Sequence, residues 1–179
     1  GFSFDIKDST RVLHDMAREI KAEYDAGKRP VPEDAKRILI TGCPIGGVVE
    51  KVVNTIEENG GVVVVYENCG GIKPARRMVD LEKDDIIEAI GDKYLSIGCS
   101  VMAPNKNRMQ MIPELIEEFR VDGVIDVILQ ACHTYNIETV TVRKLCGQLG
   151  VPYMNIETDY SGSDIGQLKT RISAFIEML

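Results

Sequence analysis

The sequence predicts an α/β fold: a doubly wound, mostly parallel four-stranded sheet of the flavodoxin or Rossmann kind, with flanking helices. Three observations predict it. Short apolar runs rich in β-branched residues recur at 37–41, 62–66, 123–130 and 152–157. These runs are continuous rather than alternating, as expected of parallel strands covered on both faces. Between them lie longer stretches whose apolar residues return every three or four positions, the spacing of amphipathic helices.

Each element follows from local chemistry. Asp8-Ser9-Thr10 provides caps for a first helix ending near Asp25, with Val12, Leu13, Met16, Ala17, Ile20 and Tyr24 on one face expected to pack on something. Residues 26–32, with two prolines and a glycine, form a linker. The domain reading is therefore an N-terminal helix and linker at 1–35 and an α/β domain at 36–179. The opening Gly1-Phe2-Ser3-Phe4-Asp5 reads as a domain cut from a longer chain. The first strand, 37–41, is followed by Gly42-Cys43-Pro44-Ile45-Gly46-Gly47 and a helix at 48–58 carrying Val49, Val52, Val53 and Ile56 inward. Four consecutive valines then Tyr66 make the second strand, read as buried on both faces, and the resulting βαβ unit is right-handed.

The stretch 72–120 shows no strand. It contains a helix at 81–95 and a second, capped by Asn105, reaching Phe119, with Pro113 as a kink or restart. The third strand leads through Ala131-Cys132-His133-Thr134-Tyr135 to a helix at 138–149 closed by Gly150. The fourth strand, a polar turn and a helix from Ile165 complete the chain.

Composition narrows the function classes. In 179 residues, 21 Lys plus Arg against 28 Asp plus Glu give a net charge of −7, which argues against non-specific nucleic-acid binding. The apolar runs fall far short of a membrane span, and no charged-then-apolar leader opens the chain, so a cytoplasmic, reducing location is expected. Five widely spaced cysteines without a C-x-x-C pair do not suggest a disulfide framework, a zinc ribbon or a thioredoxin-type site.

Their placement is more informative. Cys43, Cys69 and Cys132 each follow a predicted strand, and in a parallel sheet those loops open on the edge where ligands bind. Glycines flank Cys43, Cys69 and Cys99, allowing backbone to approach a bulky group. Thiols there, with no nearby carboxylate or multi-histidine cluster expected, suit a soft metal or an iron–sulfur cluster, although each alone is also an ordinary core residue. Cys146 reads as core and His14 as a helix surface residue. His133 is open to two readings, a hydrogen bond to a cluster or substrate, or to a local carbonyl. Lys73, Arg76 and Arg77 read as an anion site or a solvated basic patch. Gly42-x-x-x-Gly46-Gly47 lacks the spacing of a nucleotide loop.

Thr41-Gly42-Cys43-Pro44, Glu67-Asn68-Cys69-Gly70-Gly71, Tyr94-Leu95-Ser96-Ile97-Gly98-Cys99-Ser100-Val101-Met102, Gln130-Ala131-Cys132-His133-Thr134-Tyr135 and Glu157-Thr158-Asp159-Tyr160 are combined here. From about residue 36 onward the chain resembles the C-terminal half of the 2-hydroxyacyl-CoA dehydratase D-component family, which includes benzoyl-CoA reductase subunits and double-cubane-cluster reductases. The resemblance implies an oxygen-sensitive protein of two similar α/β domains with an iron–sulfur cluster between them, a [4Fe-4S] or a double cubane. It implies a lyase activity in the full-length protein and an ATP-hydrolysing iron–sulfur activator that injects a low-potential electron. Cys69 and Cys132 match the cluster-ligand positions, while Cys43 and Cys99 look more like the double-cubane subgroup. It further implies that the isolated domain, without its N-terminal partner domain, is inactive and holds no complete cluster. A homo- or heterodimeric subunit arrangement is expected, without nucleic-acid or membrane partners. The alternatives are a small-molecule reductase, a non-catalytic electron-transfer or scaffold subunit, and a structural zinc domain.

Overall fold

The computed structural model describes residues 5–179; Gly1 to Phe4, part of the opening read above as a cut end, lie outside them. The chain divides into a first unit ending at Asp34 and a second from Ala35 to Leu179. No helix of the described residues is long and apolar enough to cross a membrane.

The first unit is dominated by α1 (Ile6–Asp25). Its cap is Asp5, whose carboxylate accepts the Asp8 N–H at 3.0 Å, earlier than the expected Asp8-Ser9-Thr10. The hydroxyls of Ser9 and Thr10 instead donate back to the carbonyls of Asp5 and Ile6, a common alternative use of such residues inside a helix. Lys21 pairs with Asp25 one turn on at 2.6 Å. No residue of α1 is buried, so the face expected to pack stays exposed.

The second unit carries β1 (Lys36–Gly42), α2 (Val49–Glu58), β2 (Gly61–Glu67), α3 (Lys73–Arg76), α4 (Ile86–Leu95), α5 (Lys106–Glu118), β3 (Gly123–Leu129), α6 (His133–Leu149), β4 (Tyr153–Thr158) and α7 (Ile165–Glu177). The four strands form one sheet in the order β2-β1-β3-β4, every pair parallel. The chain steps from β1 to one side and returns to the other, so the winding reverses between β1 and β3. In doubly wound sheets that reversal leaves a crevice beyond the carboxyl ends of those strands.

Alternate residues of the central strands feed two cores. Ile38, Ile40, Ile125 and Val127 meet Val52 and Ile56 of α2 and Leu168 and Ile172 of α7. Leu39 and Val124 face the other way, toward Ile112 and Leu115 of α5 and Val142 and Cys146 of α6. At roughly 1.5–3 kcal/mol for each large apolar side chain buried, these two layers hold the sheet. Cys146 lies in the second core with no exposure, as its helical spacing predicted.

The valine run is an edge strand rather than a central one. Val62, Val63 and Val64 are only half-buried, and pairing with β1 skips a residue between Ile38 and Leu39. A continuous apolar run reports cover on two faces but says nothing about neighbours at the two edges. Helix α4 begins at Ile86, not Leu81, because the Asp85 carboxylate takes the N–H groups of Ile87 and Glu88 at 2.8 and 3.2 Å. Of the apolar residues expected to drive it, Ala89 alone is buried. Pro113 sits within α5, which runs unbroken from Lys106. Helix α6 begins at His133, before the expected Glu138, and ends at Gly150 in the left-handed region.

Candidate functional site

The carboxyl ends of β1, β2 and β3 are held together by buried polar groups, and the cysteines sit on the loops just beyond. In register across the sheet, Thr41 stands beside Glu67 on one side and Asp126 on the other. All three have no exposed surface. Polar groups so placed need partners. Arg108 of α5, itself wholly buried, supplies them for two of the three: its Nε donates to Glu67 at 3.1 Å and its Nη2 to the Thr41 hydroxyl at 2.7 Å, while Nη1 reaches Glu138 of α6 and Asp126 stays 4.0 Å from Nη2. Thr41 donates in turn to Glu67. The Lys73 ammonium, also fully buried, lies 2.9 Å from the other oxygen of Glu67 and donates to the Tyr135 hydroxyl at 3.2 Å. Both cations stand over the Tyr135 ring, at 5.0 Å for Arg108 and 5.4 Å for Lys73.

Tyr135 is the common neighbour of the thiols. Cys43 and Cys132 pack against it. Burial is the main reason its phenol is pushed above the ordinary value; Cys69, Glu67 and Cys99 act in the same direction through their charge, and Arg108 opposes them. Two of the four cysteines of the sequence-based site, Cys43 and Cys132, thus pack on one ring.

Each thiol has its own setting. Cys43 is buried and accepts the Leu129 N–H at 3.4 Å; burial pushes its thiol up to about 11 despite that bond, and Cys132 and Asp126 add to the rise. Gly42 beside it has φ +102°, and a Cβ there would meet the Val127 carbonyl at 2.4 Å. Its need for glycine is close approach to β3, not a phosphate. Cys132 caps α6 with its backbone and is half-buried. Burial raises its thiol, but hydrogen bonds from the Tyr135 N–H, Cys43 and Thr134 outweigh it, so the net direction is down. An N-terminal helix position with N–H groups turned to sulfur favours the thiolate. Ala131, immediately before it, holds φ +66°, a conformation that costs a non-glycine residue about 1 kcal/mol. Cys69 is exposed, on a turn in which the Asn68 side chain accepts the Gly70 N–H at 3.0 Å. Cys99 is half-buried, and its loop is tied to the start of α6 by Ser100 and Thr134 at 3.2 Å. Gly98 beside it touches α5 so closely that a Cβ would lie 2.7 Å from the Arg108 nitrogen.

Two expectations are corrected. Carboxylates do lie buried close to this edge: Glu67 ends β2 and Asp126 interrupts β3. Asp126 is pushed up to about 6, chiefly by burial, although Arg108 and the Tyr153 hydroxyl at 2.9 Å pull the other way. The basic stretch is not a solvated patch: Lys73 is buried against Glu67, Arg76 is paired with Glu118 and Glu114, and Arg77 alone is fully exposed. His133 is exposed at the first position of α6, and His14 is exposed on α1.

The donor chemistry fits a soft metal cluster: four free thiols on one edge, with the neighbouring carboxylates already committed to cations. Among the described residues no three of His, Cys, Asp and Glu stand close enough together to hold a metal ion by themselves. Beside the thiols, an apolar cavity of about 590 Å³ lies between α5, α6 and the 100–105 loop, bounded by Met102, Pro104, Met109, Ile137 and the polar Glu138 and Thr134.

Sequence reasoning missed Arg108, Glu67, Asp126 and Tyr135. A signal existed: Asp126 interrupts and Glu67 ends an apolar run whose flanking residues are buried, so each needed a cation from elsewhere.

The family model described as 2-hydroxyglutaryl-CoA dehydratase, D-component, matches residues 1–179. The chain is 51% identical over 179 residues to the protein named "Putative dehydratase subunit YjiM" of Escherichia coli (strain K12), covering 99% of this chain and 46% of that protein. It is 27% identical over 180 residues to the (R)-phenyllactyl-CoA dehydratase beta subunit of Clostridium sporogenes, covering 100% of this chain and 46% of that one. The chain spans about half the length of the curated relatives it matches.

Proposed function

This chain belongs to the 2-hydroxyglutaryl-CoA dehydratase D-component family, and we propose that it supplies one cysteine-bearing domain of an iron–sulfur 2-hydroxyacyl-CoA dehydratase. The observation that supports this reading is the packing of Cys43 and Cys132 on Tyr135 at the topological switch point, with free Cys69 on the loop after β2 and free Cys99 on the loop before α5. Cys69 and Cys132 would hold a [4Fe-4S] cluster shared with the remainder of the longer protein. Cys43 and Cys99 are the extra thiols that favour the second reading, a double-cubane reductase of small molecules. When bound, such a cluster supplies one low-potential electron to the acyl-CoA, delivered by an ATP-hydrolysing iron–sulfur activator.

The chain's own residues do the rest. Cys132 is offered as thiolate by the backbone N–H of Tyr135 and the start of α6. Arg108 and Lys73, paired with Glu67 and Glu138, form a fixed hydrogen-bonded support for the loops that carry Cys43, Cys69 and Cys132. The apolar cavity next to the Cys99 and Cys132 loops has the size for an acyl end group. The overall reaction removes water from a 2-hydroxyacyl thioester to give the 2-enoyl thioester. It takes place in a reducing compartment, where free thiols persist.

The test is turnover by the full-length protein, purified without oxygen, with its activator, ATP and a 2-hydroxyacyl-CoA. Enoyl-CoA should form, and Cys132→Ala should slow it by about 100-fold or more. Cluster-loaded, activator-reduced protein that leaves every 2-hydroxyacyl-CoA unchanged would sink the dehydratase reading.

A further inference from the structure

The buried charges beneath the thiols are arranged loop by loop. Thr41 lies two residues before Cys43 and receives the Arg108 fork. Glu67 lies two residues before Cys69, and Lys73 follows it at the start of α3. Gly98, next to Cys99, rests on the backbone of Arg108. Tyr135 and Glu138 follow Cys132 on the first turns of α6, one accepting from Lys73 and the other from Arg108. The Cys43, Cys69 and Cys132 loops therefore end on the same pair of buried cations, while the Cys99 loop packs on the backbone of Arg108.

Such a cluster is costly. Desolvating each ion takes several kcal/mol, and an apolar core of the same volume would hold the layers as well. What ions provide and methyl groups do not is direction: the planar guanidinium accepts partners only along its fork, and a half-made network is heavily penalised. The two ions also link parts of the chain that the strands leave independent, the loops after β1, β2 and β3.

We propose that Arg108 and Lys73 are positioning residues that hold the Cys43, Cys69 and Cys132 loops in one register, through Thr41, Glu67, Tyr135 and Glu138, so that their thiols keep a fixed arrangement. The idea rests on the reading that these thiols act together. Cys43 and Cys132 are the sensitive pair, since both pack against Tyr135 in one buried cluster.

The experiment uses the full-length protein, stripped of metal and kept reduced, treated with the two-armed alkylating reagent dibromobimane. Each of two thiols displaces one bromide, and a bridged Cys43–Cys132 peptide pair forms only when the two are held together. Bridged peptide is counted by mass spectrometry, with far-UV circular dichroism as the check on folding. The variant Glu67→Gln/Lys73→Met removes one cation and its anion together, leaving no unpaired charge. Tyr135→Phe removes only the hydroxyl that Lys73 meets and keeps the test decisive if the double variant does not fold. Lys51→Met breaks an ion pair to Asp164 that involves neither Arg108 nor Lys73 and serves as the matched control.

Bridging should fall about tenfold in the double variant, the low end of what lost supporting contacts cost a metal site. It should fall by a smaller factor in Tyr135→Phe and stay at the wild-type level in Lys51→Met. Wild-type bridging in Tyr135→Phe and in every folded double variant overturns the proposal, as does an equal fall in Lys51→Met. Iron bound by the untreated wild type, measured alongside, judges the cluster reading separately. A fall in bridging without any iron leaves the positioning role standing and removes the cluster.

Discussion

The two ends of the sheet are equally buried and chemically opposite. At the amino end of the central strands, Ile38, Leu39, Val124 and Ile125 have no exposed surface and face two apolar helix layers. A few residues on, Thr41 and Asp126, with Glu67 on the neighbouring strand, are as deeply covered but polar. Burial alone does not separate a stabilising region from a functional one; what the buried group meets does. The apolar end gains from removing area from water and tolerates small shifts. The polar end carries a desolvation cost and gains a fixed geometry, which is what a set of thiols on separate loops requires.

The contrast breaks most sharply at Arg108. Arg108→Met leaves the Glu67 and Glu138 carboxylates without their shared cation, and should destabilise the full-length protein by ~3–5 kcal/mol in urea unfolding. A loss below 1 kcal/mol would mean that the network is not a tightly coupled unit. At the apolar end, Ile125→Ala should cost ~2–4 kcal/mol through cavity formation. Because that loss has no direction, alkylation of the thiols in the folded state should not change.

Asp126 sharpens the comparison with pH. Its carboxyl is held up at about 6, from an ordinary 3.8, mainly by burial. As pH rises through that interval the unfolded chain releases its proton first, so folding stability is full below pH 4, declines toward pH 6 and is flat above. Asp126→Asn keeps an acceptor for the Tyr153 hydroxyl and removes the titration. The stability difference between pH 4 and pH 7 should shrink by ~1–3 kcal/mol. An unaltered pH profile would show that another group carries the dependence.

Much of this was legible in the residues. Periodicity and β-branched runs marked all four strands and the helices around them, because parallel strands covered on both faces leave a strong apolar signal. The same signal could not tell that Val62 to Val65 lie at an edge, since lateral neighbours are chosen by the rest of the chain. Caps shifted two boundaries: Asp5 and Asp85, not Asp8 and Leu81, set where α1 and α4 begin. The start of α6 was hidden because His133, Thr134 and Asn136 carry no apolar stripe, and they form the turn that serves Cys132. The thiol loops were visible from strand ends and flanking glycines. Their foundation was not: Arg108 lies within a helix of ordinary composition, and Lys73 reads with Arg76 and Arg77 as an anion site or a solvated patch, not as the partner of a buried glutamate. Only the sheet register, placing Thr41 between Glu67 and Asp126, shows why two cations are drawn inward.

The central claim is that these thiols hold a redox cluster in the complete protein. Its most direct test is iron and acid-labile sulfide per chain in full-length protein purified without oxygen, with Cys69→Ala and Cys132→Ala beside it. The account predicts about four irons with matching sulfide, or about eight where Cys43 and Cys99 serve a second cubane, lost or sharply reduced in both variants. No iron, zinc in its place, or iron untouched by either substitution would contradict it.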